Sequence, residues 1–542
     1  MKLPFAITLD PGSSRHNHTG AWRTQRPVYV DRLPPCNATC PAGENIQHWL
    51  FLAESGDYRA AWEAILADNP LPAVMGRACY HTCETACNRA KVDEAVGIHA
   101  IERFLGDLAI EHKWPAPPCA PATGKKVLVI GAGPSGLAAA YHLARLGHAV
   151  TIRDAMPRAG GMMRYGIPRY RLPREIVDAE IQRIVDLGVT LELGVRVDDL
   201  PGAIAAGGFD ACFAAVGAHL AKRIDLPAPD ATRILDAIGL LREIEQGGVA
   251  PLLGRRVVVY GGGNTALDVA RTARRMGAAD AVIVYRRTQA EMPAHEDELR
   301  EALEEGVQVR WLSTVASLGD GDITIEKMRM TLAGPVPTGE FETIAGDTLV
   351  LALGQAVDLA PLRAVPGVAF TRDGSVEVDG ALMTGHPGLF CGGDMVPAER
   401  TITVAVGHGK KAARHIDAYL RGTTYAPAPK HAPATLERLN PWYYSDAERT
   451  VQPQLEMARR QGTFEEVHGG LDTSTALFEA RRCLSCGNCF ECDNCFGVCP
   501  DNAVIKLGPG LGFRIDLDFC KGCGLCAKEC PCGAIDMIAE QT

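Results

Sequence analysis

Residues 126–148, KVLVIGAGPSGLAAAYHLARLGH, decide the fold of the chain around them. A short Val/Ile run predicts a buried strand, a glycine-rich turn follows at once, and an Ala-rich run with helical periodicity comes next. In this G-x-G-x-x-G pattern, Gly131 permits a tight turn, Gly133 lets the backbone approach a pyrophosphate, and Gly136 allows close packing of helix on strand. The positive end of the helix then faces the phosphates. The stretch therefore predicts a Rossmann-like dinucleotide-binding unit.

A second stretch of the same kind lies at residues 257–277, VVVYGGGNTALDVARTARRMG. Its third glycine position holds alanine, which is an accepted variant of the pattern. From residue 125 to about 422, short Val/Ile runs alternate with Ala-rich helical runs, which predicts parallel α/β construction. We expect the nucleotide phosphates of the second site to be bound by Gly261, Gly263, Asn264, Thr265 and Ala266.

The residues that follow the next strand differ between the two sites. After the first site, a predicted strand at 150–153 ends at Asp154, where a carboxylate can hydrogen-bond a ribose hydroxyl. After the second site, the strand at 281–285 ends at Arg286 and Arg287. Two guanidinium groups suit a 2′-phosphate, which an acidic side chain would repel, so the second site favours NADP(H) over NAD(H). The alternative is that one arginine stacks on the adenine while the other is solvated.

The last 60 residues contain eleven of the nineteen cysteines. Eight of them form two copies of C-x2-C-x2-C-x3-C-P, in which three thiolates hold one [4Fe–4S] cluster and the fourth ligates the other. Zinc binding or disulfides would not explain this crossed ending. Cys483, Cys486 and Cys532 are expected to be spare, since a third tail cluster would need ligands from elsewhere. The eight expected ligands are Cys489, Cys492, Cys495, Cys499, Cys520, Cys523, Cys526 and Cys530.

Two nucleotide sites next to iron–sulfur clusters predict a flavin in addition to a nicotinamide. A hydride carries two electrons, a [4Fe–4S] cluster takes one, and flavin converts between them. We assign the flavin to the first site, which opens the α/β region. Further on, Gly393 and Asp394 precede an Ala-rich helix and are expected to hydrogen-bond the flavin ribityl chain. Hydride transfer needs no side-chain acid or base, so no catalytic residue is assigned.

The bulk composition narrows the class of protein. A hydrophobic content of 47% and a charged content of 22% are those of an ordinary globular protein. A net charge of −10 argues against a nucleic-acid partner. No apolar run of about 18 residues exists, and the first residues lack the apolar region of a secretory signal. We therefore expect no membrane span, reduced thiols and a cytoplasmic location.

Pro-rich segments at 115–121 and 426–441 separate the predicted domains. The predicted fold is α/β, with two Rossmann-like dinucleotide-binding domains preceded by an α-helical iron–sulfur domain. A ferredoxin-like α+β domain with two [4Fe–4S] clusters follows them. The predicted boundaries are 1–123 for the helical domain, 124–250 and 347–425 for the two parts of the FAD-binding domain, 251–346 for the NAD(P)H-binding domain, 426–482 for a linking bridge and 483–542 for the ferredoxin-like domain.

Seven short motifs stand out between residues 30 and 425. They are GRACYHTCETAC (76–87), GAGPSGL (131–137), GGMMRYGIPRYRLP (160–173), GGGNTALD (261–268), VYRRTQAEMPA (284–294), ALGQ (352–355) and CGGD (391–394). With them the chain resembles the pyridine nucleotide–disulfide-type flavoproteins related to the small subunit of glutamate synthase. The flavoprotein halves of dihydropyrimidine dehydrogenase and of NADH-dependent ferredoxin:NADP oxidoreductase belong to the same group. The resemblance implies FAD at the first site, NADPH or NADH at the second, and flavin contacts at Gly161 and Arg164.

The same resemblance implies an N-terminal [4Fe–4S] cluster, but this chain departs from the fuller pattern. Relatives carry an extra C-x2-C ahead of the position of Cys36, whereas the upstream stretch here, RTQRPVYVDRLPP, has no cysteine. The five N-terminal thiols therefore suffice for one cluster. By the resemblance, its ligands are Cys40, Cys79 and Cys83, with Glu102 as a candidate fourth. The alternative is that Cys36 or Cys87 completes the cluster and Glu102 is an ordinary helix-face acid.

These expectations describe an NAD(P)H-dependent iron–sulfur flavoprotein that passes hydride between nucleotide and FAD and single electrons through clusters. Relatives with a two-cluster tail exchange electrons with ferredoxin or with ferredoxin-linked enzymes such as 2-oxoacid oxidoreductases, so the resemblance implies a hetero-oligomer. One alternative is the small subunit of glutamate synthase, although the missing upstream C-x2-C and the added tail argue against it. The other is a non-catalytic electron-transfer adaptor, against which the two intact glycine patterns argue.

Overall fold

The computed structural model of the chain describes residues 18–222, 224, 226–227, 233–247 and 253–540. The first residues, on which the expectation about a secretory signal rests, lie mostly outside this part of the chain. The predicted domain boundary at 250 lies outside it as well. None of the described helices is long and apolar enough to cross a membrane.

Helices and strands alternate through most of the described chain. The helices are α1 (Pro35–Thr39), α2 (Ile46–Glu54), α3 (Tyr58–Leu66), α4 (Pro72–Ala78), α5 (Thr82–Thr85), α6 (Ile98–Glu111), α7 (Pro134–Arg145), α8 (Met162–Tyr165), α9 (Arg174–Val185), α10 (Leu200–Gly207), α11 (Ala237–Glu245), α12 (Asn264–Arg275), α13 (Glu296–Glu304), α14 (Ala360–Arg363), α15 (Ile402–Leu420), α16 (Met457–Gly462), α17 (Thr473–Arg481), α18 (Asn494–Gly497) and α19 (Leu525–Lys528). The strands are β1 (Gln25–Tyr29), β2 (Lys126–Ile130), β3 (Ala149–Asp154), β4 (Thr190–Leu193), β5 (Ala211–Ala214), β6 (Leu220–Ala221), β7 (Arg233–Asp236), β8 (Arg256–Tyr260), β9 (Asp280–Val284), β10 (Gln308–Arg310), β11 (Ser313–Leu318), β12 (Asp322–Thr331), β13 (Gly334–Ala345), β14 (Thr348–Leu351), β15 (Gln355–Ala356), β16 (Leu389–Cys391), β17 (Val504–Lys506), β18 (Phe513–Ile515) and β19 (Ile535–Ala539).

The region before residue 115 is mainly helical, which confirms the predicted class of this part. Its helices α4 and α6 touch backbone to backbone, because Gly76 and Gly106 occupy the contact. A Cβ atom at Gly76 would lie 2.4 Å from the Arg103 nitrogen, and one at Gly106 would lie 2.4 Å from the Ala73 nitrogen. This close approach holds the loop after α4, which carries the cysteines of the 76–87 motif, against the body of the helical region.

Two parallel sheets follow, and each begins at one of the glycine-rich stretches. The first has the strand order β16-β5-β2-β3-β4, and the second has the order β10-β9-β8-β14-β7. Strand β2 pairs with β3 and β5 in the first sheet, and β8 pairs with β9 and β14 in the second. The predicted pair of Rossmann-like units is therefore confirmed. An antiparallel sheet, β11-β12-β13, extends the second unit.

The domain boundaries differ from the predicted ones at two strands. Strand β14 lies between β8 and β7 in the second sheet, although the prediction started the second part of the FAD domain at residue 347. Strand β7 also belongs to that sheet, although residues up to 250 were assigned to the first unit. The chain enters the second unit before residue 250 and leaves it after β14, because these two strands complete the sheet built on β8.

The C-terminal segment pairs with a strand near the N-terminus. Its last strand, β19, forms an antiparallel ladder with β1, from Gln25 opposite Ala539 to Tyr29 opposite Ile535. Earlier in the same segment, β17 and β18 pair with each other in a second antiparallel ladder. The cysteine-rich tail is thus a layer on the helical region rather than a detached module.

One continuous apolar core joins the helical region to the first sheet. It contains Trp49 and Trp62 from the helices and Val127 and Phe213 from the strands, all at most 1% exposed. The buried carboxylate of Glu180 in α9 adds a polar connection, since it accepts hydrogen bonds from the Ala73 nitrogen at 2.8 Å and the Val74 nitrogen at 3.0 Å. These are amides of the first turn of α4, which have no partner inside their helix. Glu180 therefore connects α9 to the helix that precedes the cysteine loop.

We expect Glu180→Ala to destabilise the folded protein by about 1–3 kcal/mol, because two buried N–H groups would lose their acceptor. The matched control is Glu175→Ala on the exposed side of the same helix, which should change the unfolding midpoint little. Thermal unfolding of the flavin-loaded protein measures both variants. Equal midpoints for Glu180→Ala and Glu175→Ala would contradict this role of Glu180.

Candidate functional site

The first glycine-rich turn has the geometry that a bound pyrophosphate requires. Gly131 has a φ of +101°, and a Cβ atom there would lie 2.3 Å from the Ala215 oxygen. A Cβ atom at Gly136 would lie 1.9 Å from the Gly131 oxygen, so this glycine lets α7 pack on the turn. At Gly133 the nearest atom to a Cβ would be 3.9 Å away, in Gly161. The backbone of Gly133 is therefore open toward the space where a ligand would lie.

A cleft with about 1920 Å³ of empty space, including its open mouth, lies at the carboxyl ends of β2 and β3. Gly133 and Ser135 line it at the N-terminus of α7, where the helix dipole favours a negative group. The buried hydroxyl oxygen of Ser135 has no hydrogen-bond partner among the described residues. An orphaned donor beside a helix N-terminus fits the phosphate oxygens of a dinucleotide. The predicted residues Asp154, Gly161, Gly393 and Asp394 line the same cleft.

Two of the carboxylates that line this cleft are Asp154 and Asp394. Asp154 accepts hydrogen bonds from the Ala132 nitrogen at 2.6 Å and the Met156 nitrogen at 2.7 Å, and burial raises its pKa. Burial also raises the pKa of Asp394 to about 6, against the opposing charge of Arg400. Both carboxylates are therefore largely removed from water, and a polar ligand in the cleft could donate hydrogen bonds to them.

Arg164, for which the resemblance implies a flavin contact, keeps that assignment as a prediction. Its side chain is buried and is not among the residues that line the cleft in the described part of the chain. Its Nε donates to the Ala159 oxygen at 2.7 Å, and its guanidinium pairs with Asp178. Arg164 therefore braces the loop that leads to Gly161, whose own Cβ position is 2.8 Å from the Gly133 Cα atom.

The second glycine-rich turn repeats the geometry of the first. Gly261 has a φ of +148°, and a Cβ atom there would lie 2.3 Å from the Ala352 oxygen, whereas Gly263 faces open space. Ala266 is fully buried within α12. Arg286 is exposed at the end of β9, and Arg287 has a buried Nε with no hydrogen-bond partner among the described residues. The donors available here suit an anionic group such as a phosphate.

The two sites meet at the start of α12, which the sequence did not predict. Asn264, Thr265 and Asp268 line the first cleft although they belong to the second unit. Arg171 of the first unit holds Asp268 with two contacts of 2.9 Å. The hydroxyl of Tyr80 accepts a hydrogen bond from the Asn264 Nδ2 at 2.6 Å. Arg171, Asp268 and Tyr80 all lie inside motifs of the resemblance, so a signal for each of them was available in the sequence.

The thiol of Cys79 lies directly beside the cleft at the first glycine-rich turn. The Cys79 Sγ accepts a hydrogen bond from the Thr403 Oγ1 at 3.1 Å, in the first turn of α15, and the neighbouring Ile402 lines the cleft. Burial raises the pKa of Cys40, Cys79 and Cys83, and the three thiols are close enough to act on one another. A redox group held by these thiols would be adjacent to a ligand of the cleft.

Two buried carboxylic acids face these thiols. Glu102 and Glu44 lie near Cys40 and Cys79 and share the Asn69 amide, which donates to them at 2.8 Å and 3.0 Å. Burial raises the pKa of Glu102 well above its usual value and that of Glu44 to about 7. Glu44 is thus a second acid at this site that the sequence reasoning missed.

The tail cysteines fall into two groups that cross between the motifs. Cys499 lines one cavity together with the first three cysteines of the second motif. Cys530 lies with the first three cysteines of the first motif. The Cys532 Sγ lies 3.7 Å from the Cys530 Sγ and is buried. The members of the two groups are Cys499, Cys520, Cys523 and Cys526, and Cys489, Cys492, Cys495 and Cys530.

The remaining cysteines of the two chain ends also gather. Cys36 and Cys87, which the sequence left as alternative ligands, line one cavity with Cys483 and Cys486, which it treated as spare. Cys36 and Cys87 thus line a cavity that Glu102 does not line. None of the nineteen cysteines is paired in a disulfide.

The two dinucleotide sites and the thiol groups define an NAD(P)H-dependent iron–sulfur flavoprotein oxidoreductase. The chain belongs to the pyridine nucleotide-disulphide oxidoreductase family, whose sequence profile matches residues 125–409. Residues 21–114 match the 4Fe-4S domain II of dihydropyrimidine dehydrogenase, and residues 513–536 match a 4Fe-4S binding domain. FAD, NADP and [4Fe–4S] binding follow from these matches. The open space beside the Gly133 and Gly263 backbones fits the two nucleotides.

Curated relatives support the same class. The chain is 37% identical over 499 residues to the beta subunit of an NADP(+)-dependent formate dehydrogenase from Moorella thermoacetica, covering 83% of this chain and 70% of that protein. It is 33% identical over 513 residues to the beta subunit of an NADPH-Fe(3+) oxidoreductase from Geobacter sulfurreducens, covering 84% and 76%. It is 32% identical over 416 residues to the small chain of the glutamate synthase [NADPH] of Escherichia coli, covering 70% and 87%.

We expect Gly133→Ala to lower the FAD content of the purified protein while the apoprotein keeps its unfolding midpoint. The reason is that the new methyl group meets no protein atom closer than 3.9 Å but enters the space of the pyrophosphate. Gly263→Ala is the matched variant, because it faces open space in the second turn and should retain FAD. Equal FAD loss in both variants, or full FAD in Gly133→Ala, would contradict the assignment of the first site.

Proposed function

We propose that this chain is the NADP(H)-linked electron-transfer subunit of a hetero-oligomeric redox enzyme. When bound, FAD exchanges a hydride with the nicotinamide and single electrons with iron–sulfur clusters. The observation that carries the proposal is the first turn of α15, where Ile402 lines the flavin cleft and Thr403 donates a hydrogen bond to Cys79. One turn of helix thus contacts both the two-electron site and the first one-electron site.

Contacts within the chain would fix the two nucleotide-binding sites relative to each other. Arg171 and Asp268 fix α12 against the first unit, and Asn264 connects α12 to Tyr80. Tyr80 follows Cys79 directly in the sequence, so the hydrogen bond to Asn264 connects the second nucleotide site to the thiol group. The N-terminus of α15 would stabilise negative charge on a reduced flavin. We assign no side chain as an acid or base.

We propose Cys40, Cys79, Cys83 and Glu102 as the ligands of a [4Fe–4S] cluster beside the flavin. The argument for Glu102 is that Cys36 and Cys87 face another cavity, whereas Glu102 lies near Cys40 and Cys79. A carboxylate in place of a thiolate changes the charge and the sulfur count around the iron. In the tail, the crossed groups support the eight ligands expected from the two motifs.

Among partners, we propose a ferredoxin or a ferredoxin-linked enzyme such as a 2-oxoacid oxidoreductase. A formate dehydrogenase catalytic subunit is a second candidate, favoured by the 37% identity to a formate dehydrogenase beta subunit. Copurification under anaerobic conditions from the native host distinguishes these candidate partners, because the enzyme that is retained with the chain identifies the partner. A large glutamate synthase chain in the complex would overturn both and favour the glutamate synthase alternative. The cytoplasmic location stays a sequence-based prediction.

Rapid mixing of the purified, FAD-loaded chain with NADPH under anaerobic conditions tests the proposed function. We expect the flavin absorbance to be lost, and the double variant Arg286→Ala/Arg287→Ala to raise the KM for NADPH about tenfold or more, since two donors for the 2′-phosphate are removed. The KM for NADH should change little.

The control for this experiment is Arg329→Ala, which removes an exposed arginine from β12 and should leave both KM values unchanged. If NADPH left the flavin oxidised, the chain would not be the hydride-transferring subunit. If the double variant kept its preference for NADPH, the two arginines would not bind the 2′-phosphate.

A further inference from the structure

Four thiols from opposite ends of the chain line one cavity. Cys36 lies in α1 and Cys87 follows α5, while Cys483 and Cys486 follow α17. Cys36 is close enough to the other three for their charges to act on its thiol. Residues about 400 positions apart are thus brought together, and none of the four belongs to the ligand groups proposed above.

The size of the cavity fits a cluster rather than a single ion. It has about 350 Å³ of empty space, compared with about 340 Å³ for the cavity lined by Cys499 and the second tail motif. Among the described residues, the only group that has three or more ligand atoms within 4.8 Å of one another consists of His81, Glu84 and His99. The four thiols are therefore spaced more widely than around one zinc ion, whose bonds to sulfur are about 2.3 Å long.

The loop from Cys483 to Cys486 has the backbone form of the other cysteine loops. Ser485 has a φ of +45°, which is unusual for a residue with a side chain, and its N–H donates to the Cys483 Sγ at 3.4 Å. The same arrangement occurs at the loop beside the flavin, where His81 has a φ of +47° and its N–H donates to the Cys79 Sγ at 3.3 Å.

Both tail motifs repeat this arrangement. Glu491 has a φ of +55° and donates its N–H to Cys489, and Gly522 has a φ of +71° and donates its N–H to Cys520. An N–H directed at sulfur stabilises a thiolate and tunes a cluster bound to it. The Cys483 loop is thus built like the loops of the established cluster motif.

The surroundings of the cavity supply a further hydrogen-bond donor and a buried arginine that joins the two ends of the chain. The Asn88 Nδ2 donates to the Cys486 Sγ at 3.5 Å. Arg89 lines the cavity, is 3% exposed, and donates to the Arg482 oxygen at 2.8 Å. Arg89 also pairs with Asp93 at 2.6 Å, so it connects the N-terminal side of the cavity to Arg482, the residue that precedes Cys483.

We propose that Cys36, Cys87, Cys483 and Cys486 bind an additional [4Fe–4S] cluster, assembled from both ends of the chain. The C-x2-C that relatives carry ahead of Cys36 is replaced here by one that arrives from the C-terminal side. Because the chain folds back on itself, ligand sets need not be contiguous in sequence. This proposal goes beyond the proposed function, and it requires only that the chain binds clusters.

The position of this cluster gives it a role in electron transfer. On one side, Cys36 lies near Cys83 of the group beside the flavin. On the other side, Tyr444 donates to the Leu484 oxygen at 2.8 Å and lies near both Cys483 and Cys492 of the tail. The cluster therefore lies between the flavin-side group and the tail clusters, and it would accept one electron from a neighbouring cluster and pass one on.

Iron and acid-labile sulfide analysis of the anaerobically purified, cluster-reconstituted full chain tests the proposal. We expect about 16 iron atoms per wild-type chain and about 12 in the double variant Cys483→Ser/Cys486→Ser, because a [4Fe–4S] cluster holds four. Cys36→Ser should cause the same loss from the other end of the chain. The control is Cys119→Ser, an exposed cysteine outside all groups, which should keep about 16.

FAD content and the bleaching of flavin by NADPH serve as measures of correct folding in each variant. A wild-type content of about 12 iron atoms would overturn the proposal, as would a double variant that keeps about 16, or one that loses one zinc atom in place of four irons. The wild-type count decides even if a variant fails to fold. Failure of NADPH to bleach the flavin would overturn the proposed function alone and leave the iron count standing.

Discussion

The antiparallel ladder between β1 and β19 is the constraint on which the rest of the structure depends, because it joins the two ends of the chain. Ion pairs between Arg23 and Glu540 and between Arg32 and Asp536 reinforce it. The ladder also places the Tyr29 hydroxyl 3.2 Å from the Cys495 Sγ, so an N-terminal strand contacts a tail cluster site. Without this closure, the tail thiols would be tethered to the flavoprotein without a fixed distance to the flavin.

A second constraint orients the NADP unit. Arg271 and Arg275 of α12 hold Glu305 in a fully buried ionic group, and Arg460 of the C-terminal bridge contacts the same carboxylate at 3.3 Å. Breaking one partner of such a group leaves a buried charge unpaired, which is strongly destabilising. The segment between the second unit and the tail is thus more than a linker, since it packs on α12 and fixes the direction in which the nicotinamide site faces.

Much of this could be predicted from the sequence because the signals are local. Each glycine turn and each tail motif lies within about 25 consecutive residues. The backbone conformation of such a turn depends on single residues, such as Gly131. Strand membership was not predictable in this way, since β7 and β14 join the second sheet through pairings between residues about 90 to 115 positions apart. The thiol group of Cys36 and Cys483 was missed for the same reason, although two cysteines were left over at the N-terminal end and three at the C-terminal end.

The central claim is that electrons travel from the nicotinamide site through the flavin cleft and the thiol groups to the tail. Freeze-quench electron paramagnetic resonance after mixing with one equivalent of NADPH tests it most directly. We expect flavin reduction to come first and signals of reduced tail clusters to appear afterwards, at a rate no faster than the flavin step. Tail clusters that become reduced while the flavin stays oxidised would contradict it.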